Sequence, residues 1–287
     1  MLQDRPRELT LTVHYRTDVG RVRNHNQDSL GYREPKELGR RAEDGWLYAV
    51  ADGLGGHQAG EVASRLAVQA LLTAYYRSRQ GTPADRLRRA FADANHAVYE
   101  RARQQTGPRR MGTTLVAAVA RGEELIVANV GDSRAYLVRG GRIRQITRDH
   151  SLIAQLVAEA IVTPEQAKTH PQRHVLTRSL GTHSEMKVDL FTETFLPGDQ
   201  LLLCSDGVTE HVTDAEIGSA MRDRDPEAIA QRLVDLANER GGRDNITVLI
   251  LRAMPKRKNR LPSPVLPQKV EKPPISRRRP GPGSVVT

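Results

Sequence analysis

The 287-residue sequence is poor in cysteine, in aromatic residues and in long apolar runs. Its one cysteine, Cys204, excludes internal disulfides and any zinc cluster built from thiolates. Aromatic residues make up only 4%, so the core must be built from Leu, Val, Ile and Ala. No apolar run approaches the ~20 residues of a membrane-spanning helix, and the first residues show no apolar segment typical of a signal peptide. We therefore expect a cytoplasmic protein without a membrane span.

Several catalytic motifs are also absent. A cysteine phosphatase needs an arginine six residues after its cysteine to hold the phosphate, and Glu210 stands there. Ser133 and Ser205 lack the Gly-x-Ser-x-Gly turn of serine hydrolases, and no Gly-(x)4-Gly-Lys-Ser/Thr phosphate loop occurs. Cys204 could still be a nucleophile, but its position is far more typical of a small core residue on a buried strand.

The net charge of +10 is concentrated near the C-terminal end. From Pro255 onward nine Lys or Arg residues stand against one acid, Glu271, which gives +8 and leaves about +2 for the rest. This segment is rich in proline and has few large apolar residues, so it cannot bury enough surface to fold. We predict a folded domain over residues 1–253 and a disordered basic tail over residues 254–287.

Hydrophobic patterns predict strands joined mostly by hairpins, together with helices in pairs. Residues 9–16 alternate with the period of a half-buried strand, residues 59–77 and 83–103 have helical periodicity, and the polar segment 34–45 is predicted to be a loop. Because hairpins join antiparallel strands, we expect an α+β fold of stacked antiparallel sheets covered outside by helix pairs. Further strands are predicted over 30–33, 46–51, 113–120, 124–130, 135–138, 142–146, 186–195, 200–205 and 245–252, and further helices over 213–221 and 226–240.

Aspartates stand at the ends of several predicted strands. An apolar run ends on Asp52, and four glycines follow within eight residues. A buried strand that delivers an acid into such a turn holds the carboxylate rigid and lets backbone approach a ligand. An Asp-Gly hairpin turn would explain Asp52 and Gly53, but not the later glycines and His57. The same design recurs at Asp132 and at Asp206, which suggests one shared acidic site.

Five aspartates at strand ends or turns are the candidate ligands of this site: Asp28, Asp52, Asp132, Asp206 and Asp244. Gathered closely, carboxylates repel one another and shift toward protonation unless a cation neutralises them. Oxygen ligands without cysteine favour Mg²⁺ or Mn²⁺ over Zn²⁺. Aspartates that bridge two such ions lower the pKa of water, so that hydroxide can attack phosphorus.

Six ordered motifs are spread over about residues 10–252: Arg23-(x)4-Asp28, Asp52-Gly53-(x)2-Gly56-His57, Gly112-Thr113-Thr114, Gly131-Asp132-Ser133-Arg134, Ser205-Asp206-Gly207 and Arg243-Asp244-Asn245. In this order and spacing they resemble the motifs of the metal-dependent protein phosphatases of the PPM (PP2C) family, bacterial type. The resemblance implies a four-layer α-β-β-α sandwich whose two antiparallel sheets hold the metals at one edge of the cleft between them.

The resemblance also implies a role for each acid. Asp52 would bridge two Mg²⁺ or Mn²⁺ ions, and the backbone carbonyl of Gly53 would join the second ion. Asp206 and Asp244 would complete the first metal site. Asp28 would complete the second, directly or through water.

Other roles carried over from the family concern a third ion and the substrate. Asp132 would hold a third, weaker metal together with Asp206. Arg23 would grip the substrate phosphate, because its planar fork suits two phosphate oxygens. Either His57 or His174 could protonate the leaving serine or threonine oxygen. The alternative for His57 is that it only packs or hydrogen-bonds within its glycine turn.

The segment 149–176 corresponds to the mobile flap beside the active site of bacterial members. Between its two short helices many relatives carry glycine, whereas this chain has Ala160. If that position requires a positive φ, the alanine is strained there.

The resulting hypothesis is a phosphoserine/phosphothreonine protein phosphatase that uses direct attack of metal-activated water, forms no phosphoenzyme and counteracts a Ser/Thr protein kinase. The alternative is a catalytically silent member of the family that only binds phosphoproteins. Loss of metal acids would signal that alternative, and none is lost here. Nothing in the sequence requires more than a monomer.

The basic tail could contact nucleic acid, anionic lipid or an acidic partner. We favour a solvated extension, because no aromatic residues interleave with its charges. Deleting residues 255–287 and measuring retention on heparin against salt separates the two hypotheses. We expect unchanged elution, and earlier elution of the truncated chain would support a binding role.

Overall fold

The computed structural model describes residues 9–35, 37–55, 58–77, 79–104, 111–223 and 225–255. The chain divides into two units, 1–256 and 257–287, and every described residue lies in the first. The tail predicted over 254–287 therefore lies outside the described residues, except for its first two residues. No helix in the described ranges is both long enough and apolar enough to cross a membrane.

The secondary structure follows the predicted alternation of hairpins and paired helices. The strands are β1 (Leu9–Asp18), β2 (Asp28–Arg33), β3 (Trp46–Leu54), β4 (Gly112–Thr113), β5 (Leu115–Arg121), β6 (Glu124–Val130), β7 (Arg134–Arg139), β8 (Arg142–Gln145), β9 (Asp189–Thr194), β10 (Gln200–Cys204) and β11 (Ile246–Pro255). The helices are α1 (Leu38–Asp44), α2 (Gln58–Arg77), α3 (Pro83–Arg103), α4 (Leu152–Ala158), α5 (Pro164–Ala167), α6 (Asp206–Thr209), α7 (Asp214–Ala220) and α8 (Pro226–Glu239).

Two antiparallel sheets form the centre of the fold. One sheet has the order β1-β11-β10-β7-β8. The other has the order β2-β3-β5-β6-β9, and β4 pairs with β3 beside it. Since β1 pairs with β11, the two ends of the described chain lie in neighbouring strands. The prediction of antiparallel sheets is confirmed.

Each central strand is buried on both faces. In β3, Tyr48 and Val50 pack between the two sheets, whereas Ala49 and Ala51 pack against helices. This explains why the central strands read as unbroken apolar runs instead of alternating patterns. In β10, Cys204 is fully buried on the helix side, and burial raises the pKa of its thiol to about 12. Cys204 is therefore a core residue, unsuited to act as a thiolate nucleophile.

Helix pairs cover the outer faces of both sheets. Helices α2 and α3 pack on the sheet that contains β3, and α7 and α8 pack on the sheet that contains β11. Thr82 begins α3 with a capping box to Asp85, and Thr213 begins α7 in the same way with Glu216. The result is the α-β-β-α order expected from the family resemblance.

Helix α1 lies within the segment 34–45, which the sequence analysis predicted as a loop, and that prediction is wrong. The helix ends at Asp44, whose carboxylate accepts a 2.6 Å hydrogen bond from the buried Arg86 guanidinium. The hydroxyl of Tyr75 donates to the backbone carbonyl of Asp44 at 2.7 Å. Both partners come from distant helices, so the polar composition of the segment could not reveal this contact.

The two ends of the flap segment are joined to each other by a few backbone hydrogen bonds. Ser151 forms an isolated bridge with Leu176, and the amide of Leu152 donates to the carbonyl of Val175 at 2.8 Å. Between α4 and α5 the backbone turns at Ala160 with φ 57°, and no other non-glycine residue of the described chain has a positive φ. An L-residue in this region is strained by roughly 1 kcal/mol.

Replacing Ala160 with glycine should relieve this strain. We expect Ala160→Gly to stabilise the flap by about 0.5–1 kcal/mol, measured as slower hydrogen exchange of the flap amides and an equal or higher Tm. Ala158→Gly is the matched control, because Ala158 is the exposed last residue of α4 and has a negative φ, so that glycine relieves no strain there and should destabilise the flap. Faster exchange in both variants would contradict strain at Ala160.

Candidate active site

The site begins with two carboxylates on neighbouring strands. Asp28 opens β2 and lies directly opposite Asp52 in the β2–β3 register, so both side chains project from the same face of the sheet. Ser205, at the end of β10 in the other sheet, donates its hydroxyl to Oδ2 of Asp28 at 2.8 Å. The same hydroxyl accepts the amide of Thr247 at 3.0 Å. One serine thus ties an acid of one sheet to the backbone of the other.

The backbone around Asp52 is fixed by the Gly-Thr-Thr motif. Thr114 accepts the amide of Asp52 on its hydroxyl at 2.9 Å and donates its own amide to the carbonyl of Asp52 at 2.8 Å. Gly53 lies so close to Gly60 that an added Cβ would meet the Gly60 carbonyl oxygen at 2.2 Å. Gly53 and Gly60 are therefore required by close backbone contact, as the sequence suggested for this turn.

The turn that carries Asp132 is linked to the same threonine. The hydroxyl of Thr114 shares a 2.7 Å hydrogen bond with the hydroxyl of Ser133. Gly131 has φ +107°, and a Cβ there would lie 2.6 Å from the Thr114 side chain. The amide of Gly131 donates to Nδ1 of the buried His150 at 3.1 Å. Asp132 is thereby held against the turn at Asp52 and against the base of the flap.

Arg23 reaches the site through a loop held by Asn245. Its guanidinium donates to Oδ2 of Asp244 at 2.7 Å, and this hydrogen bond raises its pKa. Asn245 accepts the amide of Gln27 at 2.7 Å and donates to the carbonyls of Val19 and His25 at 2.9 Å each. Its side chain therefore fixes the loop that carries Arg23 relative to Asp244.

These elements enclose a cleft of about 430 Å³. Asp28 is not among the residues that line the cleft, but it lies opposite Asp52 in the neighbouring strand. His57 and Gly56 lie outside the described residues. The residues from the sequence analysis that line the cleft are Arg23, Asp52, Gly53, Asp132, His174, Asp206 and Asp244, and the structure adds Arg173, Leu176, Glu210 and Arg243.

Glu210 is the most notable residue of the cleft that the sequence analysis did not assign to the site. Its carboxylate lies 2.9 Å from Nδ1 of His174 on the flap. The one available signal was its spacing, four residues after Asp206 at the start of a short helix. The ligating atoms of His174, Asp206 and Glu210 all lie within 4.8 Å of one another.

The electrostatics of the cleft are those of crowded, buried acids. Burial raises the pKa of Asp28 to about 6 and that of Asp132 to about 7. Burial, followed by the neighbouring carboxylates, raises the pKa values of Asp52 and Asp206 well above the ordinary range. The protein thus holds at least four carboxylates where their ionised forms are unfavourable.

The donor set fits hard divalent cations. Oδ1 of Asp28 and Oδ1 of Asp206 are inaccessible to solvent and lack a hydrogen-bond partner in the described part of the chain. Buried carboxylate oxygens without partners are costly unless an ion or water satisfies them. The surrounding ligands are oxygens, which Mg²⁺ and Mn²⁺ prefer.

Comparisons with known proteins show what the whole described chain is similar to. The family model described as protein phosphatase 2C matches residues 20–246. A serine/threonine phosphatase from Listeria welshimeri is 38% identical over 244 residues, which cover 83% of this chain and 94% of that protein. The crystal structure of the Mycobacterium tuberculosis serine/threonine phosphatase PstP is 37% identical, with TM-score 0.76 over 85% of this chain and 99% of that one. The PstP catalytic domain in complex with two manganese ions is 35% identical, with TM-score 0.75 over 86% of this chain and 100% of that one.

The raised pKa values make a prediction for the metal-free protein. A carboxyl group whose pKa is raised on folding makes its full contribution to the stability of the folded state below about pH 4. This contribution is lost as the pH rises through the pKa of the group in the folded protein. In EDTA, the protein should therefore be less stable at pH 8 than at pH 5. Asp28, with a pKa of about 6, should account for up to about 3 kcal/mol of this loss.

Thermal unfolding in EDTA at several pH values provides the measurement. Asp28→Asn should flatten the pH dependence, whereas Asp235→Asn, at an exposed position of α8, should leave it unchanged. If the Tm of Asp28→Asn depended on pH as steeply as that of the wild type, ionisation of this carboxylate would not be unfavourable in the folded state.

Proposed function

Because the chain belongs to the protein phosphatase 2C (PPM) family, we propose that its acidic cleft is a binuclear Mg²⁺/Mn²⁺ centre for the hydrolysis of phosphoserine and phosphothreonine in proteins. The chain is a serine/threonine protein phosphatase of this family. The observation that carries the metal assignment is the convergence of Asp28, Asp52, Asp132 and Asp206 with raised pKa values. The Oδ1 atoms of Asp28 and Asp206 are also buried and lack a hydrogen-bond partner in the described part of the chain.

The ligands follow from the place of each acid in the cleft. Asp52, which couples electrostatically to both Asp206 and Asp28, would bridge the two ions. Asp206 and Asp244 would complete one site. Asp28 and the carbonyl of Gly53 would complete the other. When bound, the ions lower the pKa of water so that it can attack phosphorus at neutral pH.

The residues of the chain would bind and orient the substrate. Arg23 is half exposed at the cleft, so its guanidinium is open to a phosphate group. Its hydrogen bond with Asp244 fixes one edge of the guanidinium, which helps to orient the group. A planar guanidinium holds two phosphate oxygens at once, which a lysine cannot do. His174 lines the same cleft and is our candidate for protonating the leaving oxygen, as is His57.

A third, weaker ion is proposed between Asp132 and Asp206. Asp132 is the principal electrostatic neighbour of Asp206, which supports a shared cation. The flap base, through His150 and Gly131, holds the turn that presents Asp132. Occupancy of this site is therefore expected to respond to the position of the flap.

The substrates are proposed to be proteins phosphorylated by a Ser/Thr kinase, whose action this enzyme would reverse. We propose residues 1–253 as the phosphatase domain, with residues 254–287 as a basic extension and the chain as a monomer. The alternative of a silent phosphoprotein-binding member is not favoured, because the candidate metal acids are all present and the named relatives are phosphatases.

Asp52→Asn tests the metal assignment. Hydrolysis of a phosphothreonine peptide should require Mn²⁺ or Mg²⁺ and stop in EDTA. Loss of a group that only supports a metal ligand costs 10–100-fold, so loss of the bridging carboxylate should lower kcat/KM by more than ~100-fold. Tm should be preserved or raised in EDTA, since a strained charge is removed.

Asp235→Asn serves as the control at an exposed aspartate of α8. Full metal-dependent turnover by a folded Asp52→Asn protein would overturn the bridging role. Absence of turnover by the wild-type chain with either metal would favour the silent alternative.

A further inference from the structure

The contact between His174 and Glu210 joins the flap to the body of the protein. His174 lies on the flap, two residues before the bridge between Leu176 and Ser151. Glu210 is the C-cap residue directly after the short helix α6, and its amide donates to the carbonyl of Asp206 at 2.8 Å. The carboxylate of Glu210 is therefore placed relative to Asp206 by a single helical turn.

The two partners differ in how firmly they are held. The side chain of Glu210 is 21% exposed, and that of His174 is 51% exposed. Glu210 directly follows α6, a helical turn that comes just after the fully buried strand β10, whereas His174 stands on the flap after its last short helix, α5. The acid is thus the fixed member of the pair, and the imidazole takes its orientation from the acid.

We propose that Glu210 is a positioning residue for the phosphatase reaction, which holds His174 in the cleft so that this histidine protonates the leaving oxygen. The proposal rests on the proposed function above. A carboxylate 2.9 Å from Nδ1 limits where the ring can lie and leaves Nε2 as the nitrogen available to the substrate. The same logic applies wherever an acid orients a catalytic histidine.

The proton balance of the step is simple. The oxygen of the attacking water bonds to phosphorus, and the phosphate ester P–O bond breaks with its electron pair on the serine or threonine oxygen. That oxygen takes the proton from Nε2 of His174 and leaves as the alcohol. The ring regains a proton from the water that has been consumed, so the enzyme returns to its starting state.

Leaving-group dependence separates this role from a structural one. A serine or threonine alkoxide is a strong base and needs a proton to leave, whereas p-nitrophenolate is a weak base and needs none. Loss of the orienting acid should therefore reduce hydrolysis of a phosphothreonine peptide more than hydrolysis of p-nitrophenyl phosphate. General acid catalysis accelerates a reaction by about 10²–10⁴-fold in total. Loss of the residue that positions the acid should therefore lower the rate with the peptide, relative to the rate with p-nitrophenyl phosphate, by roughly 10-fold.

The experiment compares kcat for the two substrates in the full chain with Mn²⁺. The ratio of interest is kcat for the phosphothreonine peptide divided by kcat for p-nitrophenyl phosphate. We expect Glu210→Gln and His174→Asn each to lower this ratio by roughly 10-fold or more. The double variant should fall little further, because the two residues act as one unit. Glu210→Asp should recover most of the ratio, and Glu159→Gln, at an exposed position on the flap, should leave it unchanged.

Bound manganese per chain is measured on the same proteins, because His174, Asp206 and Glu210 are close enough to share an ion. Unchanged metal content with a reduced ratio supports the positioning role. Reduced metal content in Glu210→Gln would overturn it in favour of a metal ligand. Equal losses with both substrates, or an unchanged ratio in His174→Asn, would overturn it as well. These outcomes leave metal-dependent turnover by the wild-type chain intact, and so are distinct from a failure of the proposed function.

Discussion

Mutual repulsion among buried carboxylates is the constraint on which the rest of this structure depends. Asp28, Asp52, Asp132 and Asp206 have raised pKa values because burial and their neighbours disfavour the charged forms. A flexible scaffold would relax by moving these acids apart. Here they stand at the ends of strands, or in turns directly after them, within sheets whose faces are both buried. The folding energy of the whole sandwich therefore holds together groups that would otherwise separate.

Neutral hydrogen-bonding residues fill the spaces between the acids. Thr114 links the turn at Asp52 to the turn at Asp132. Ser205 bonds to Asp28 across the two sheets, and Asn245 anchors the loop of Arg23. Each of these side chains can donate and accept hydrogen bonds without adding charge. They fix the geometry of the site and leave carboxylate oxygens free for cations.

The sequence was a good guide to the candidate acids, because a local sequence pattern marks each of them. An apolar strand followed by Asp and Gly is visible in the sequence, and family motifs in the same order made the assignment specific. The sandwich was equally accessible, since hairpin spacing and paired helices appear in the local periodicity. Helix α1 and the contact between Glu210 and His174 were not accessible. Their environments are formed by Arg86, Tyr75 and His174, which lie far away along the chain.

The sequence by itself predicted one shared acidic site, the strands that present its acids, and that Ala160 would be strained if its φ were positive. Only the tertiary structure decided that Ala160 does adopt φ 57°, that Asp28 stands opposite Asp52, and that a flap histidine meets an acid of α6. The reason is physical. Strand and turn signals act over a few neighbouring residues, whereas register, close approach and burial depend on segments that meet only when the two sheets pack.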